Sequence, residues 1–155
     1  MILATLCYVQ DNGRTLMVHR NRKPGDMHSG KWNGLGGKFE AGESPEDCVR
    51  REVFEESGLE IENPRLRGLL TFPAFKGNDW TVFVYTAGEF RGELIDSPEG
   101  DLRWVPDDEL EALPLWPSDP IFFAWMRAGR FFSAKFVYAG DGLLSHQVAF
   151  HGEPG

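Results

Sequence analysis

Residues Gly37 to Leu59 have the sequence GKFEAGESPEDCVRREVFEESGL, and the middle of this stretch predicts a helix. Ser44 can accept a hydrogen bond from a free N–H at a helix start, Pro45 suits the first helical position, and Asp47 falls where a capping-box acid would stand. Gly58 is a typical C-terminal stop, because glycine adopts the left-handed backbone conformation easily. The sequence therefore predicts a helix that ends one residue before Gly58.

Three glutamates of that helix, Glu52, Glu55 and Glu56, are spaced so that they lie on one stripe of its surface. Carboxylates this close repel one another unless a cation lies between them. Hard oxygen ligands suit Mg²⁺ or Mn²⁺, which keep waters and share substrate phosphates. A solvated acidic helix face is the alternative, and for three glutamates alone it is the favoured one.

A glycine-rich segment comes before the helix and changes that comparison. At Gly34, Gly36 and Gly37 the bare backbone can approach a phosphate or offer a carbonyl to a metal. Together with Glu43, Arg51 and the glutamate stripe, the glycines favour a site for metal ions and phosphates over a solvated surface.

The rest of the chain alternates between β-rich segments and turns, with one further helix. The loop 22–37 is rich in Gly and Pro, and loops of that length are often functional. The predicted strands are 3–9, 15–20, 66–75, 81–90, 102–105, 131–138 and 143–150, with a helical turn at 107–113 and a helix at 119–128 capped near Ser118 or Asp119. This order predicts an α/β (α+β) fold in a single domain, residues 1–155, with a mixed sheet and a helix on each face.

The charge is unevenly placed along a chain whose net charge is −8. Basic residues prevail between Arg14 and Lys38, and acidic residues prevail between Glu40 and Glu62. This pattern suits a polyanionic ligand held partly by cations and partly through metal ions, with a patchy solvated surface as the alternative. The net charge argues against a long nucleic acid as partner.

Neither a membrane nor an exported protein is indicated. No apolar run approaches the length of a bilayer span, and the first ten residues lack the basic region of a signal peptide. Cys7 and Cys48 lack paired-motif spacing, so we expect reduced thiols in a cytoplasmic protein. We expect a monomer, with a dimer as the alternative.

The spacing within Gly37–Leu59 resembles the Nudix signature, G-x5-E-x7-R-E-U-x-E-E-x-G-U with U aliphatic, at every position. The resemblance implies an α/β/α sandwich with a mixed β-sheet between helices, and a magnesium-dependent hydrolase of nucleotide phosphoanhydrides. It implies that Glu52, Glu55 and Glu56 are catalytic metal ligands, with the Gly36 carbonyl as a further ligand.

The same resemblance assigns supporting roles around the helix. Gly37, Glu43 and Arg51 would be structural, with Arg51 and Glu43 bracing the loop against the helix. Glu99, in a turn before the strand at 102–105, would be one more acidic metal ligand or base. A turn carboxylate at the surface is the alternative for Glu99.

Outside the signature, residues 30–38 and 115–119 resemble the MutT-like and MTH1-like oxidised purine nucleoside triphosphatases, and 131–138 resembles the final hairpin of bacterial, MutX-like members. Asn33 and Asp119 would then hydrogen-bond the base edge, and Trp116 would stack on the base. The substrate-binding residues implied in this way are Thr5, Lys23, Met27, Asn33, Phe72, Trp116, Asp119 and Lys38.

Several of these pocket residues can also be explained by ordinary structural roles. Without the resemblance, Trp116 and Phe72 are typical of core packing, and Asn33 of a loop-capping amide. One position also departs from the MTH1-like pattern, in which two aspartates follow Trp-Pro, since Ser118 precedes Asp119 here. An acid pair can share a proton and so accept more than one base edge, and a single acid leaves such breadth unsupported.

The expected reaction is hydrolysis of nucleoside triphosphates, oxidised purine ones such as 8-oxo-dGTP among them, to a monophosphate and pyrophosphate with Mg²⁺, or Mn²⁺, as cofactor. Action on ADP-ribose or another nucleoside diphosphate derivative is the alternative within the family, since a fold cannot separate these substrates. Action on RNA 5′ ends and a non-catalytic nucleotide-binding module are the remaining alternatives.

Overall fold

The computed structural model describes residues 1–22, Gly25, His28 and 30–152. Lys23 and Met27, two of the substrate-binding residues implied by the resemblance, lie outside the described residues. The strands are β1 Ile2–Asp11, β2 Arg14–Arg20, β3 Trp32–Asn33, β4 Glu60–Glu62, β5 Arg65–Phe75, β6 Asn78–Ala87, β7 Glu89–Arg91, β8 Gly100–Pro106, β9 Phe131–Ala139 and β10 Gly142–His151, and the helices are α1 Pro45–Ser57 and α2 Asp119–Arg127.

Among the described residues, eight strands form one mixed sheet in the order β10-β9-β5-β6-β1-β2-β3, with β8 also paired to β2. The β1–β6 and β5–β9 pairs are parallel, and the other pairs are antiparallel. The predicted mixed sheet is confirmed.

A helix covers each face of this sheet, as predicted. Neighbouring residues of a strand point to opposite faces, and Cys7 packs in the core beneath α1 while Tyr8 packs in the core beneath α2. Val53 of α1 and Phe122 of α2 are the helical counterparts in these two cores. The structure is therefore the expected α/β/α sandwich.

Helix α1 begins and ends where its sequence predicts. The Ser44 hydroxyl accepts from the Asp47 N–H at 3.0 Å, and the Asp47 carboxylate accepts from the Ser44 N–H at 3.1 Å. Gly58 has a φ of 83°, in the left-handed region. The Tyr85 hydroxyl donates to the Glu46 carboxylate and ties the first turn of α1 to β6.

The glycine loop is held as an extra partner of β1. Strands β1 and β2 pair only next to their turn, and the space where they diverge is filled by residues 35–39. Cys7 N–H donates to the Leu35 carbonyl at 2.6 Å, and Thr5 N–H donates to the Gly37 carbonyl at 2.9 Å. The loop that precedes α1 is thus fixed to the sheet by backbone hydrogen bonds, which leaves few of its polar groups unpaired.

Three details differ from the sequence prediction. The strand predicted over 81–90 ends at Ala87, and Phe90 belongs to β7, which pairs with the unpredicted β4. Trp32 and Asn33, expected in a loop, form the short strand β3. The Ser118 side chain makes no capping bond to α2, because its hydroxyl is bound elsewhere.

Two further observations bear on the sequence expectations. In the part of the chain that the structure describes, no helix combines the length and the apolar character that crossing a bilayer requires. Cys7 and Cys48 are both buried free thiols.

Gly36 provides a test of the loop's docking. Its φ is 152°, and a Cβ at this position would overlap the carbonyl of Thr5. We expect Gly36→Ala to lower the free energy of unfolding by about 3 kcal/mol or more, since backbone atoms must move. Gly42→Ala is the matched control: its φ is 81° but nothing lies within 4 Å of an added Cβ, so only about 1 kcal/mol should be lost. Equal losses in urea denaturation would contradict the close approach.

Candidate active site

A cavity of about 680 Å³ lies between the glycine loop, the sheet and the start of α2. One end, which we call the acidic end, is formed by Glu52, Glu56 and Glu99 with Arg20 beside the glycine loop. The opposite, aromatic end is lined by Phe72, Phe75, Trp116 and Tyr138, with Asn33 and Asp119 as polar members. A ligand with a planar ring and a polyanionic chain has the shape and chemistry that such a cavity accepts.

The glycines bring the loop backbone against the glutamates of α1. The Gly36 N–H donates to Glu56 Oε2 at 3.2 Å. At Gly37, an added Cβ would lie 2.6 Å from the Glu52 carboxyl group. Any larger residue at Gly37 would therefore displace one of the carboxylates that the spacing singled out.

Arg51 connects the loop to the helix through several hydrogen bonds. Its Nε donates to Glu43 Oε2 at 2.7 Å, and its Nη2 donates to Glu43 Oε1 at 2.9 Å and to the Lys38 carbonyl at 3.0 Å. This two-pronged contact lowers the pKa of Glu43 to about 2, chiefly through the Arg51 hydrogen bonds. The structure therefore brings together the two residues that the resemblance treats as a brace.

Arg51 also draws two of the three stripe glutamates towards itself. Its Nη1 donates to Glu52 at 2.7 Å and to Glu55 at 3.2 Å. The Glu55 side chain is 54% exposed, and it does not line the cavity. Glu55 thus lies outside the acidic end, although it shares a helical stripe with the glutamates inside it.

Glu56 is the buried member of the stripe, only 3% exposed. Burial raises its pKa well above the ordinary value, while Arg20 and the Gly36 N–H act in the opposite direction and Glu52 and Glu99 add to the rise. Its Oε1 has no hydrogen-bond partner among the described residues. A buried carboxylate oxygen left in this way favours a cation close by.

Glu99 lies at the acidic end and is bound to a residue that the sequence did not single out. Arg20 Nη2 is 3.2 Å from Glu99 Oε2, and both side chains are largely buried. The register of the β2–β8 pair places Arg20 opposite Gly100, which brings the two side chains together. Only a knowledge of that strand pairing would have identified Arg20.

The acidic end fits a divalent cation by the chemistry of its donors. Carboxylate oxygens are the ligands that Mg²⁺ and Mn²⁺ prefer, and Glu56 Oε1 is an unsatisfied one. As the described side chains stand, no three acids, histidines or cysteines are grouped to hold a metal, because Glu52 and Glu55 contact Arg51. An ion would therefore compete with Arg51 for these carboxylates.

The polar groups at the aromatic end are buried and can form further hydrogen bonds. Asn33 is 9% exposed, and its Nδ2 has no hydrogen-bond partner in the described part of the chain. Asp119 is 7% exposed, and burial raises its pKa to about 8. At pH 7 its carboxyl group is therefore mostly neutral and can both donate and accept a hydrogen bond.

Trp116 is held by contacts on more than one side. Its Nε1 donates to Nδ1 of His28 at 2.8 Å, and Lys31 Nζ lies 4.3 Å from the centre of its ring. Phe75 and Tyr138 meet the indole nearly at right angles. The sequence singled out Trp116 but not His28, Phe75 or Tyr138, since these come from three distant segments.

The three other described residues implied as substrate contacts also line the cavity. Phe72 stacks on Phe136 with 6.0 Å between ring centres. Lys38 Nζ lies 5.4 Å from the centre of the Trp80 ring. The Thr5 hydroxyl is 3.4 Å from Cys48 Sγ of α1, so it contacts the helix that carries the acidic end rather than the aromatic end.

The brace predicts a pH dependence of stability. Glu43 has a folded-state pKa of about 2 against an ordinary 4.5, so its contribution is complete above about pH 4.5 and is lost as the pH falls towards 2. We expect Glu43→Gln to flatten the fall of the unfolding free energy across this window in urea titrations. Glu111→Gln, which removes an exposed pair with Arg127, is the control and should keep the wild-type slope. A wild-type slope in Glu43→Gln would contradict the brace.

Known proteins with similar sequences have the same domain. The NUDIX domain model matches residues 2–126. The chain is 32% identical over 93% of its length to the uncharacterized Nudix hydrolase YvcI of Bacillus subtilis, of which 92% is covered. It is 32% identical over 94% of its length to the oxidized purine nucleoside triphosphate hydrolase of Danio rerio, of which 93% is covered.

Among solved structures, the crystal structure of a mutator MutT protein from Bacillus halodurans matches with a TM-score of 0.85 at 34% identity. The match covers 96% of this chain and 97% of that chain. The family model, the relatives and the solved structure agree with the complete signature in Gly37–Leu59, and this chain belongs to the Nudix hydrolase family.

Proposed function

We propose that this Nudix hydrolase cleaves nucleoside triphosphates, with oxidised purine nucleotides such as 8-oxo-dGTP among its substrates, to a monophosphate and pyrophosphate. The observation that carries the proposal is the division of one cavity into an acidic end and an aromatic end with two buried polar groups. The relatives from Danio rerio and Mus musculus, both named oxidized purine nucleoside triphosphate hydrolase, support the substrate class. Removal of such nucleotides from the precursor pool would protect DNA synthesis.

The triphosphate would lie at the acidic end. Glu52, Glu55, Glu56 and Glu99, with the Gly36 carbonyl, would hold Mg²⁺ or Mn²⁺ there, once Glu52 and Glu55 are released from Arg51. When bound, the metal neutralises phosphate charge and lowers the pKa of a water molecule. A carboxylate of this end would accept the proton as water attacks phosphorus, and the bond from that phosphorus to the oxygen between the α- and β-phosphates would break, which releases the monophosphate and pyrophosphate.

The base would lie at the aromatic end. The neutral Asp119 carboxyl group and the Asn33 amide can hydrogen-bond a base edge, and an unmatched edge would leave buried polar groups unpaired at a cost of about 1–3 kcal/mol each. Trp116 and Phe72 supply flat apolar walls.

We further propose that residues 1–155 act as one domain, as a monomer in the cytoplasm.

The substrate class is tested by a panel of nucleotides with Mg²⁺, scored by product. We expect pyrophosphate and 8-oxo-dGMP from 8-oxo-dGTP with a higher kcat/KM than for dGTP or ADP-ribose. If cleavage of ADP-ribose to two monophosphates were the fastest reaction, the proposed substrate class would be wrong, while the family assignment would stand.

The metal is tested by chelation. EDTA should abolish turnover, since the acidic end needs a cation.

The acidic end is tested by Glu56→Gln. Replacing the buried carboxylate with an amide of the same shape should lower kcat by about 100-fold or more while the fold is kept. Glu60→Gln, which changes an exposed residue of β4 paired with Arg91, is the matched control and should have wild-type kcat. Full activity of Glu56→Gln would remove this residue from the chemistry.

The base contact of Asp119 predicts a pH dependence of KM. Because the folded-state pKa is about 8, above the ordinary 3.8, the carboxyl group donates below pH 8 and loses its proton above it. We expect the KM for 8-oxo-dGTP to rise between about pH 7.5 and pH 9 in the wild type. Asp119→Asn cannot ionise and should have a flatter profile; identical profiles would contradict the contact.

A further inference from the structure

Ser118 and Tyr138 form a buried pair next to the aromatic end. Ser118 is 2% exposed. The Tyr138 hydroxyl accepts from the Ser118 N–H at 3.0 Å and donates to Ser118 Oγ at 2.7 Å. Backbone and side chain of one residue are thus bound by a single phenol oxygen.

This pair fixes the chain where α2 starts. The Ser118 carbonyl accepts from the N–H groups of Ile121 and Phe122, and Asp119 N–H donates to the Trp116 carbonyl. Tyr138 therefore satisfies the Ser118 N–H, which the helix itself does not use, and ties the turn to β9. The hydroxyl of Ser118 is taken by Tyr138, which is why Ser118 does not cap the helix.

The ring of Tyr138 also contacts the other walls of the aromatic end. Its centre lies 5.6 Å from the Trp116 ring centre, at 90°, and 5.3 Å from that of Phe75. One side chain thus contacts the indole that would stack on the base and the residue that precedes Asp119. Tyr138 itself lines the cavity.

We propose that Tyr138, through Ser118, is a positioning residue for nucleobase recognition. It fixes the position of the Asp119 carboxyl group relative to the Trp116 ring. This role rests on the proposed function. Hydrogen-bond readout of a base edge tolerates errors of only about 0.5 Å in the recognising groups. Without the Tyr138 hydroxyl, the Ser118 N–H and Oγ would lose these partners, directly before Asp119 in the chain.

The pairing also explains a serine at this position. The Ser118 hydroxyl accepts from Tyr138 and a serine does not titrate in this pH range, so the turn presents a single carboxyl group, that of Asp119, to the base. We therefore expect the pocket to discriminate between base edges rather than to accept several.

The test compares Tyr138→Phe, Ser118→Ala and the double variant. Tyr138→Phe removes both hydrogen bonds, whereas Ser118→Ala removes only the one between the two hydroxyl groups. We therefore expect the KM for 8-oxo-dGTP to rise about tenfold in Tyr138→Phe and by less in Ser118→Ala, with kcat within about twofold of wild type. The double variant should have the same KM as Tyr138→Phe, since that single substitution already removes both hydrogen bonds to Ser118. Binding of 8-oxo-dGMP without metal, followed by tryptophan fluorescence, should weaken by the same factor.

Two controls separate positioning from a general loss of stability. Thr15→Val removes a buried hydroxyl bonded to Asp107 at 2.7 Å, away from the cavity, and should lower Tm without changing KM. Inorganic tripolyphosphate has no base, so its inhibition constant should be the same in wild type and Tyr138→Phe.

The outcomes distinguish the two proposals. An unchanged KM in Tyr138→Phe with active wild type, additive effects in the double variant, or weaker tripolyphosphate inhibition would each overturn the positioning role alone. No wild-type turnover of 8-oxo-dGTP would overturn the proposed function, and this role with it.

Discussion

The close approach of the glycine loop to β1 is the constraint on which the rest of the site depends. Gly36 lies so near the backbone of Thr5 that no side chain fits, and Gly34 would place a Cβ 2.8 Å from the Cys7 carbonyl. This contact replaces the strand pairing that β2 gives up when it diverges from β1. The loop then has a fixed position, and the carboxylates of α1 can be set against it.

The second constraint is electrostatic. Glu43, Glu52, Glu56 and Glu99 converge on the loop, and the protein supplies arginines from two directions to reduce their repulsion. Arg51 binds the outer carboxylates and Arg20 the inner Glu99. Glu56 keeps an unpartnered oxygen among the described residues, and burial raises its pKa, so a bound cation would stabilise its charged form. This buried and unsatisfied carboxyl group, rather than the number of acids, is what supports the proposal of a metal site here.

The helix α1 and its stripe could be predicted because every determinant is local. Ser44, Asp47 and Gly58 mark the ends of one helix, and helical periodicity alone puts the glutamates on one stripe. The periodicity could not show that Glu55 faces Arg51 and solvent while Glu56 is buried, because that depends on how α1 is rotated against the sheet. The strands β4 and β7 were missed since three residues give no detectable alternation.

The aromatic end was predicted less completely for a related reason. Its members come from β3, β5, the segment before α2, α2 itself and β9, so no spacing in the sequence relates them. Ser118 shows the consequence: a serine before a helix is typical of a cap, yet its hydroxyl is bound by Tyr138 from a strand that comes after the helix. Such a residue can be interpreted only once the tertiary contacts are known.

The two ends of the cavity are thus built in different ways, and under the proposed function this difference separates the reaction from base selectivity. The acidic end depends on one loop and one helix that are continuous in sequence, with Arg20 and Glu99 added by strand pairing. The aromatic end depends on packing among separate elements, and the Tyr138 hydroxyl binds Ser118 there without contacting the glutamates of the acidic end. Under the proposed function, base preference could therefore change at the aromatic end while the phosphate chemistry stays intact, because Gly36 and Arg51 hold the acidic end through contacts that do not involve α2.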